Sequence, residues 1–169
     1  MKNINITNQT KYSLEFIFSE ADKLATELTK SISENTNKSF FVVAFYSSIL
    51  SFSFFQMAKG EYLYFILLAG CILSIIILHK NLFPSMIALK GSLPELMFDS
   101  YFDSFLNEEL EKEYLATQIE SYNYALNHNK ENIKNMVNRF KKSIYCMLIF
   151  LFFFIAVTCF FSFVECFQC

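Results

Sequence analysis

Three uncharged, apolar stretches, Ser39 to Ala58, Tyr62 to His79 and Ser143 to Val164, alternate with charged segments along this chain. A helix needs about 20 mostly apolar residues to cross roughly 30 Å of hydrocarbon, so each stretch predicts a transmembrane helix. Met57 to Glu61 is short enough to be the tight turn of a hairpin between the first two. Before the first stretch, Leu14, Phe18, Ala21, Ala25, Leu28 and Ile32 recur at spacings of four and three, which sets them in one stripe of a helix. Leu115, Ile119, Tyr122, Leu126, Asn129, Ile133, Met136 and Phe140 repeat that alternation before the third, with no Pro or Gly from Asp103 onward. One long helix continuing through the third span is expected, its inner part projecting roughly 50 Å at 1.5 Å per residue. Asn129, at a stripe position, is placed to fix register through a buried polar contact.

The pattern predicts an all-α membrane protein with three transmembrane helices. An N-terminal helix and the long helix continuous with span three would form a cytoplasmic helical bundle. The expected divisions are a cytoplasmic helical segment over 1–38, a transmembrane hairpin over 39–79, a cytoplasmic connector and long helix over 80–142, a third span over 143–164 and an outer stub over 165–169. Pro84 and the run Gly91-Ser92-Leu93-Pro94 break the connector, because proline lacks an amide donor and clashes with the preceding turn. A hinge and a plain connector with an interfacial helix are both open there.

Composition agrees with lipid as the solvent: 54% of residues are hydrophobic and Phe alone occurs 22 times, against three Gly and no Trp. Charge sets an orientation. Lys23, Lys30 and Lys38 precede span one, Lys80 and Lys90 follow span two, and Arg139, Lys141 and Lys142 stand before span three, whereas Lys59 alone lies in the hairpin turn. By the positive-inside rule the N-terminus is cytoplasmic and the C-terminus outside, with the first span retained rather than cleaved as a signal. A formal charge of −2 gives no sign of a nucleic acid polymer as partner.

Conventional chemistry is not evident. His79 and His128 lie far apart, no Gly-rich phosphate loop or nucleophilic triad is present, and Glu108 to Glu113 reads as the solvated start of a helix. No enzyme, cofactor or metal is expected. Cys71, Cys146 and Cys159 fall inside spans as small packing groups, and Cys166 and Cys169 form a C-x-x-C that an oxidising compartment would reach. Ser47, Ser48 and Ser51 make a hydroxyl stripe on span one, with Gly70 and Ser74 a small-x-x-x-small patch on span two; helix packing and pore lining both fit them. Three spans cannot enclose an aqueous path alone, and two apolar stripes exceed what one helix pair hides, so a homo-oligomer is expected.

Glu34-Asn35-Thr36-Asn37-Lys38-Ser39 leading into the hairpin, Pro84 after it, Met97-Phe98-Asp99, the run Glu113-Tyr114-Leu115-Ala116-Thr117-Gln118-Ile119 and the basic helix entering a third span resemble the membrane effector of the bacterial Pycsar antiphage system, from about Asp22 to Val164. Asn37, Lys38, Gln118, Ile119 and Lys130 match the family pattern, while Asn132 stands where the family has an aromatic. The resemblance implies a multi-pass protein of the bacterial inner membrane, partnered with a cyclase, that is activated by cyclic CMP or cyclic UMP and compromises the membrane in abortive infection. A phosphate and a pyrimidine edge call for a basic group, amides and an aromatic face. Lys38, Gln118, Tyr122, Asn123, Lys130, Lys134 and Arg139 are the candidate ligand-binding residues. A membrane scaffold recruiting a cytosolic partner through its helical stripes remains the alternative. A transporter subunit is disfavoured, since no Asp, Glu, Lys or Arg lies within a span.

Overall fold

A computed structural model describes residues 9–83 and 100–168, with side chains as far as Val164. The regular structure among them is helical: α1 (Lys11–Ala58), α2 (Phe65–Leu82) and α3 (Glu108–Gln168), with 3-10 turns at Tyr62–Tyr64 and Phe102–Ser104. Each helix contains a segment long and apolar enough to cross a membrane. The connector with Pro84, Gly91 and Pro94, the Met97-Phe98-Asp99 segment, Asn3, Cys169 and the Cys166 side chain lie outside the described residues.

The stripe before span one and the span itself form one helix of 48 residues, about 72 Å long. Glu34 to Lys38, though polar, carries no Gly or Pro, so nothing in the backbone interrupts the hydrogen-bond ladder there. Thr10 caps its start, Oγ1 accepting from the Ser13 amide at 3.2 Å. Its end is a Gly-capped turn: Gly60 takes φ 97, its amide donates to Met57 O, and the Glu61 amide donates to Gln56 O.

The long third helix starts later than Asp103. Phe102 to Ser104 closes a 3-10 turn and Asn107 adopts φ 51, so α3 begins at Glu108 and runs 61 residues. Asn is among the few side chains that tolerate a left-handed backbone. Glu108, Glu109 and Glu111 then occupy the first turn, where carboxylates complement the positive end of the helix dipole.

The chain divides into two compact units, Met1–Ile32 with Met86–Ile133, and Ser33–Ser85 with Lys134–Cys169. These divisions fall several residues before the span borders expected at Ser39 and Ser143. α1 and α3 each contribute to both.

In the first unit the two helices lie parallel, because Lys11 pairs with Glu111 near one end and Asp22 meets Tyr122 further along. The expected stripes face each other. Leu14, Ala21, Ala25 and Ile32 are buried on α1, and Ile119, Tyr122 and Asn129 on α3. Ala21 and Ala25 leave the space that the Tyr122 ring fills, with Phe18 and Leu126 beside it. Phe102 is buried in the same unit, stacked on Tyr114 at 4.5 Å between centroids.

The second unit packs α2 against the span portions of α1 and α3 around Tyr46, Leu67, Cys71, Leu78 and Met147. Gly70 permits the closest approach: a Cβ there would stand 2.6 Å from Phe150 Cβ, so only glycine lets α3 come so near. One turn along, Ser74 Oγ donates to Ser143 O at 3.2 Å and Ser143 Oγ donates back to Ser74 O at 3.0 Å. Phe41, Phe54, Phe152, Phe153 and Phe160 meanwhile point outward.

Candidate functional site

The seven candidate ligand residues fall in both units. Gln118, Tyr122, Asn123 and Lys130 belong to the first; Lys38, Lys134 and Arg139 belong to the second. Among the described residues no hydrogen bond or ion pair joins any two of the seven.

Within the first unit, helical spacing separates Tyr122 from Asn123 and Lys130. Tyr122 sits in the core, only 6% exposed; its ring meets Phe18 edge-on at 5.2 Å and its hydroxyl donates to Asp22 Oδ1 at 3.0 Å. Burial, and then the Asp22 carboxylate, push the Tyr122 phenol above its usual pKa, so it stays a neutral donor. Gln118, one turn earlier, is half-buried. Asn123, Asn127 and Lys130, spaced four and three apart, share an exposed face, with Asn127 Nδ2 donating to Asn123 Oδ1 at 3.4 Å. That face offers amides and an ammonium to solvent. The ring chosen as a stacking surface is instead committed to the helix pair.

Two further contacts brace this unit. Lys11 is held above the ordinary lysine pKa by its hydrogen bond and charge pairing with Glu111. Burial and the Glu113 carboxylate raise Tyr101, whose hydroxyl donates to Glu113 Oε2 at 3.4 Å.

The second unit contains a polar cluster that joins Arg139, a candidate ligand residue, to Asn81 and Ser39. Asn81, fully buried near the end of α2, donates from Nδ2 to Met136 O at 2.9 Å and to Ser39 Oγ at 3.4 Å. Arg139 donates to Asn81 Oδ1 at 3.4 Å. One amide thus ties α1, α2 and α3 together and orients a guanidinium at that end of the unit. Ser39 and Ser143 open the first and third apolar stretches, and Asn81 follows His79 and Lys80 in the polar last turn of α2, where nothing in the sequence marks it out from them. Lys38 and Lys134 are exposed.

Gly70 and Ser74 lie at the α2–α3 contact. Ser47, Ser48 and Ser51 do not: they are exposed, and each hydroxyl donates to a carbonyl of its own helix, Val43, Ala44 and Ser47 respectively. The Ser53 hydroxyl is buried without a hydrogen-bond partner among the described residues. No group of three or more His, Cys, Asp or Glu suited to a metal occurs among the described residues.

The chain matches no protein-family model, no curated protein and no solved structure.

Proposed function

We propose that this protein is a multi-pass effector of the bacterial inner membrane in antiphage defence. Cyclic CMP or cyclic UMP binds its cytoplasmic unit, and the membrane unit then compromises the bilayer as a homo-oligomer, without catalysis by this chain. The observation that carries the membrane part is that the second unit buries Ser39, Ser74, Asn81 and Ser143 in hydrogen bonds between helices, beside an apolar core, while presenting phenylalanines outward. Such an arrangement suits hydrocarbon, where side-chain hydrogen bonds must be closed internally and aromatic surface is already well solvated. The basic flanks, with Lys38, Lys80, Arg139, Lys141 and Lys142 at one end of the unit, support a cytoplasmic location for that end and for the first unit.

The nucleotide assignment rests on the family resemblance. The exposed Asn123, Asn127 and Lys130 face has chemistry compatible with a phosphate and a pyrimidine edge. Since α1 and α3 run unbroken from one unit into the other, a ligand that repacks the first unit has a covalent route to the second. The outward Ser47, Ser48 and Ser51 face is available to a second copy as a close helix contact or as part of a pore lining.

A second reading, a scaffold that recruits a cytosolic protein, is favoured by one feature: Tyr12, Phe16, Ile17 and Leu24 of the first unit are all exposed. The test that separates the two adds cyclic UMP or cyclic CMP to the purified protein in dye-loaded liposomes, alongside calorimetry. Nucleotide-dependent release, with mass measurement in mild detergent giving an oligomer, is expected. Release that ignores both nucleotides, together with no heat of binding, would remove the defence reading and leave the scaffold.

A further inference from the structure

A cavity of about 500 Å³ opens on the flank of the second unit between the span portions of α1 and α3. Its walls include Val42, Phe45 and Ile49 on α1 and Ile144, Leu148 and Leu151 on α3, and the surface of the whole lining, Tyr46 included, is almost entirely apolar. The volume lies within the range of about 300–1,000 Å³ common for small-molecule sites. Each wall continues, at helical spacing and towards the same end of the unit, into a lysine. Lys38 precedes Val42, Phe45 and Ile49 by four, seven and eleven residues; Lys141 precedes Ile144, Leu148 and Leu151 by three, seven and ten. These intervals keep each lysine on the face that lines the cavity, about 6 Å beyond its edge on α1 and about 4.5 Å on α3.

Helical side chains tilt towards the N-terminus, and both helices enter the apolar region from their N-terminal side. The two ammonium groups therefore lean away from the cavity and towards the interface, leaving the apolar walls uninterrupted. Both lysines are exposed and form no ion pair among the described residues. Glu34, one turn before Lys38, is the single carboxylate among the described residues at that end of the unit and does not bridge to it.

We infer that this flank binds one anionic phospholipid of the inner leaflet, with its phosphate between Lys38 and Lys141 and an acyl chain in the cavity. A basic rim above an apolar, laterally open groove is the charge and polarity pattern of such a lipid, and a second protein copy would find two unpaired lysines at its edge instead of a complementary surface. The proposal rests on the membrane placement of the second unit and is independent of the nucleotide.

The test is native mass spectrometry of the full chain in mild detergent, offered equal amounts of phosphatidylglycerol and phosphatidylcholine. Wild type should retain phosphatidylglycerol several-fold over phosphatidylcholine. Lys38→Gln with Lys141→Gln should bring the preference to parity, while Lys38→Arg with Lys141→Arg should keep it and so show that the fold is intact. Ile144→Trp, which fills the cavity, should lower retention of both lipids. Equal retention of the two lipids by wild type, a preference unchanged by the glutamine pair, or a lipid-free dimer that Ile144→Trp dissociates would each overturn the assignment. A chain that partitions into the aqueous phase would instead refute the membrane placement, and loss of nucleotide-triggered release leaves this result untouched.

Discussion

The two units share the same two long helices and both have apolar cores, yet they differ in the polar groups they bury and in the groups they turn outward. In the first, Leu14, Ala21, Ala25, Ile32, Ile119 and Ala125 are inside while Lys23, Lys30 and Glu131 are outside. In the second, hydroxyls and an amide are buried beside Tyr46, Leu67, Cys71, Leu78 and Met147, and phenylalanines are outside. The contrast teaches that helix continuity says little about solvent. Water rewards the first arrangement through the hydrophobic effect, whereas hydrocarbon gives no such reward for burying apolar groups and leaves close packing and internal hydrogen bonds to hold helices together.

The contrast predicts different sensitivities. Tyr122→Ala should have the largest effect, about 3–5 kcal/mol by analogy with other aromatic truncations, because it empties the space between Ala21 and Ala25. Hydrogen exchange over 14–32 should rise sharply while 65–82 stays protected; equal loss in both segments would mean that the units unfold together.

Gly70→Leu comes next, at about 1–3 kcal/mol, because its first side-chain atom already collides with Phe150. Thermal unfolding in detergent should report a lower midpoint. An unchanged midpoint would show that α2 and α3 do not approach so closely.

Asn81→Ala removes the donor shared by Met136 O and Ser39 and leaves Arg139 without its acceptor, for about 1–2 kcal/mol. Asn81→Asp should recover the Arg139 contact but not the bond to Met136 O. Equivalent behaviour of both variants would argue that the cluster contributes nothing directional.

A smaller effect concerns pH. The folded Tyr122 phenol titrates above its unfolded value of about 10, so its contribution is fully present below that value and is lost as pH rises through the folded pKa. Tyr122→Phe should remove this alkaline step in first-unit stability. The Lys11 pair with Glu111 fades in the same direction, and any residual step in that variant should disappear in Lys11→Gln.

The spans and stripes were legible because apolar periodicity repeats over many residues, and errors at single positions cancel. Local breaks were harder to read: Asn107 has no proline or glycine beside it to announce its left-handed backbone. The candidate ligand residues, all but Lys38 on α3, were read from side-chain chemistry along the sequence, which could not show that Tyr122 faces Asp22 and Phe18, both about 100 residues away in sequence. Asn81 was missed for the same reason. Its meaning depends on Ser39, Met136 and Arg139, which meet it only once three helices have packed.

The central claim, that one chain meets two solvents, is tested most directly by thiol accessibility. Single cysteines placed at 123, 130, 148 and 152 in a cysteine-free background would be exposed to a membrane-impermeant maleimide in inverted inner-membrane vesicles. All four native side chains are exposed in the folded chain, so protein burial cannot account for a difference. The account predicts rapid labelling at 123 and 130, and none at 148 and 152 until detergent is added; labelling of 148 and 152 as fast as 123 in intact vesicles would contradict it.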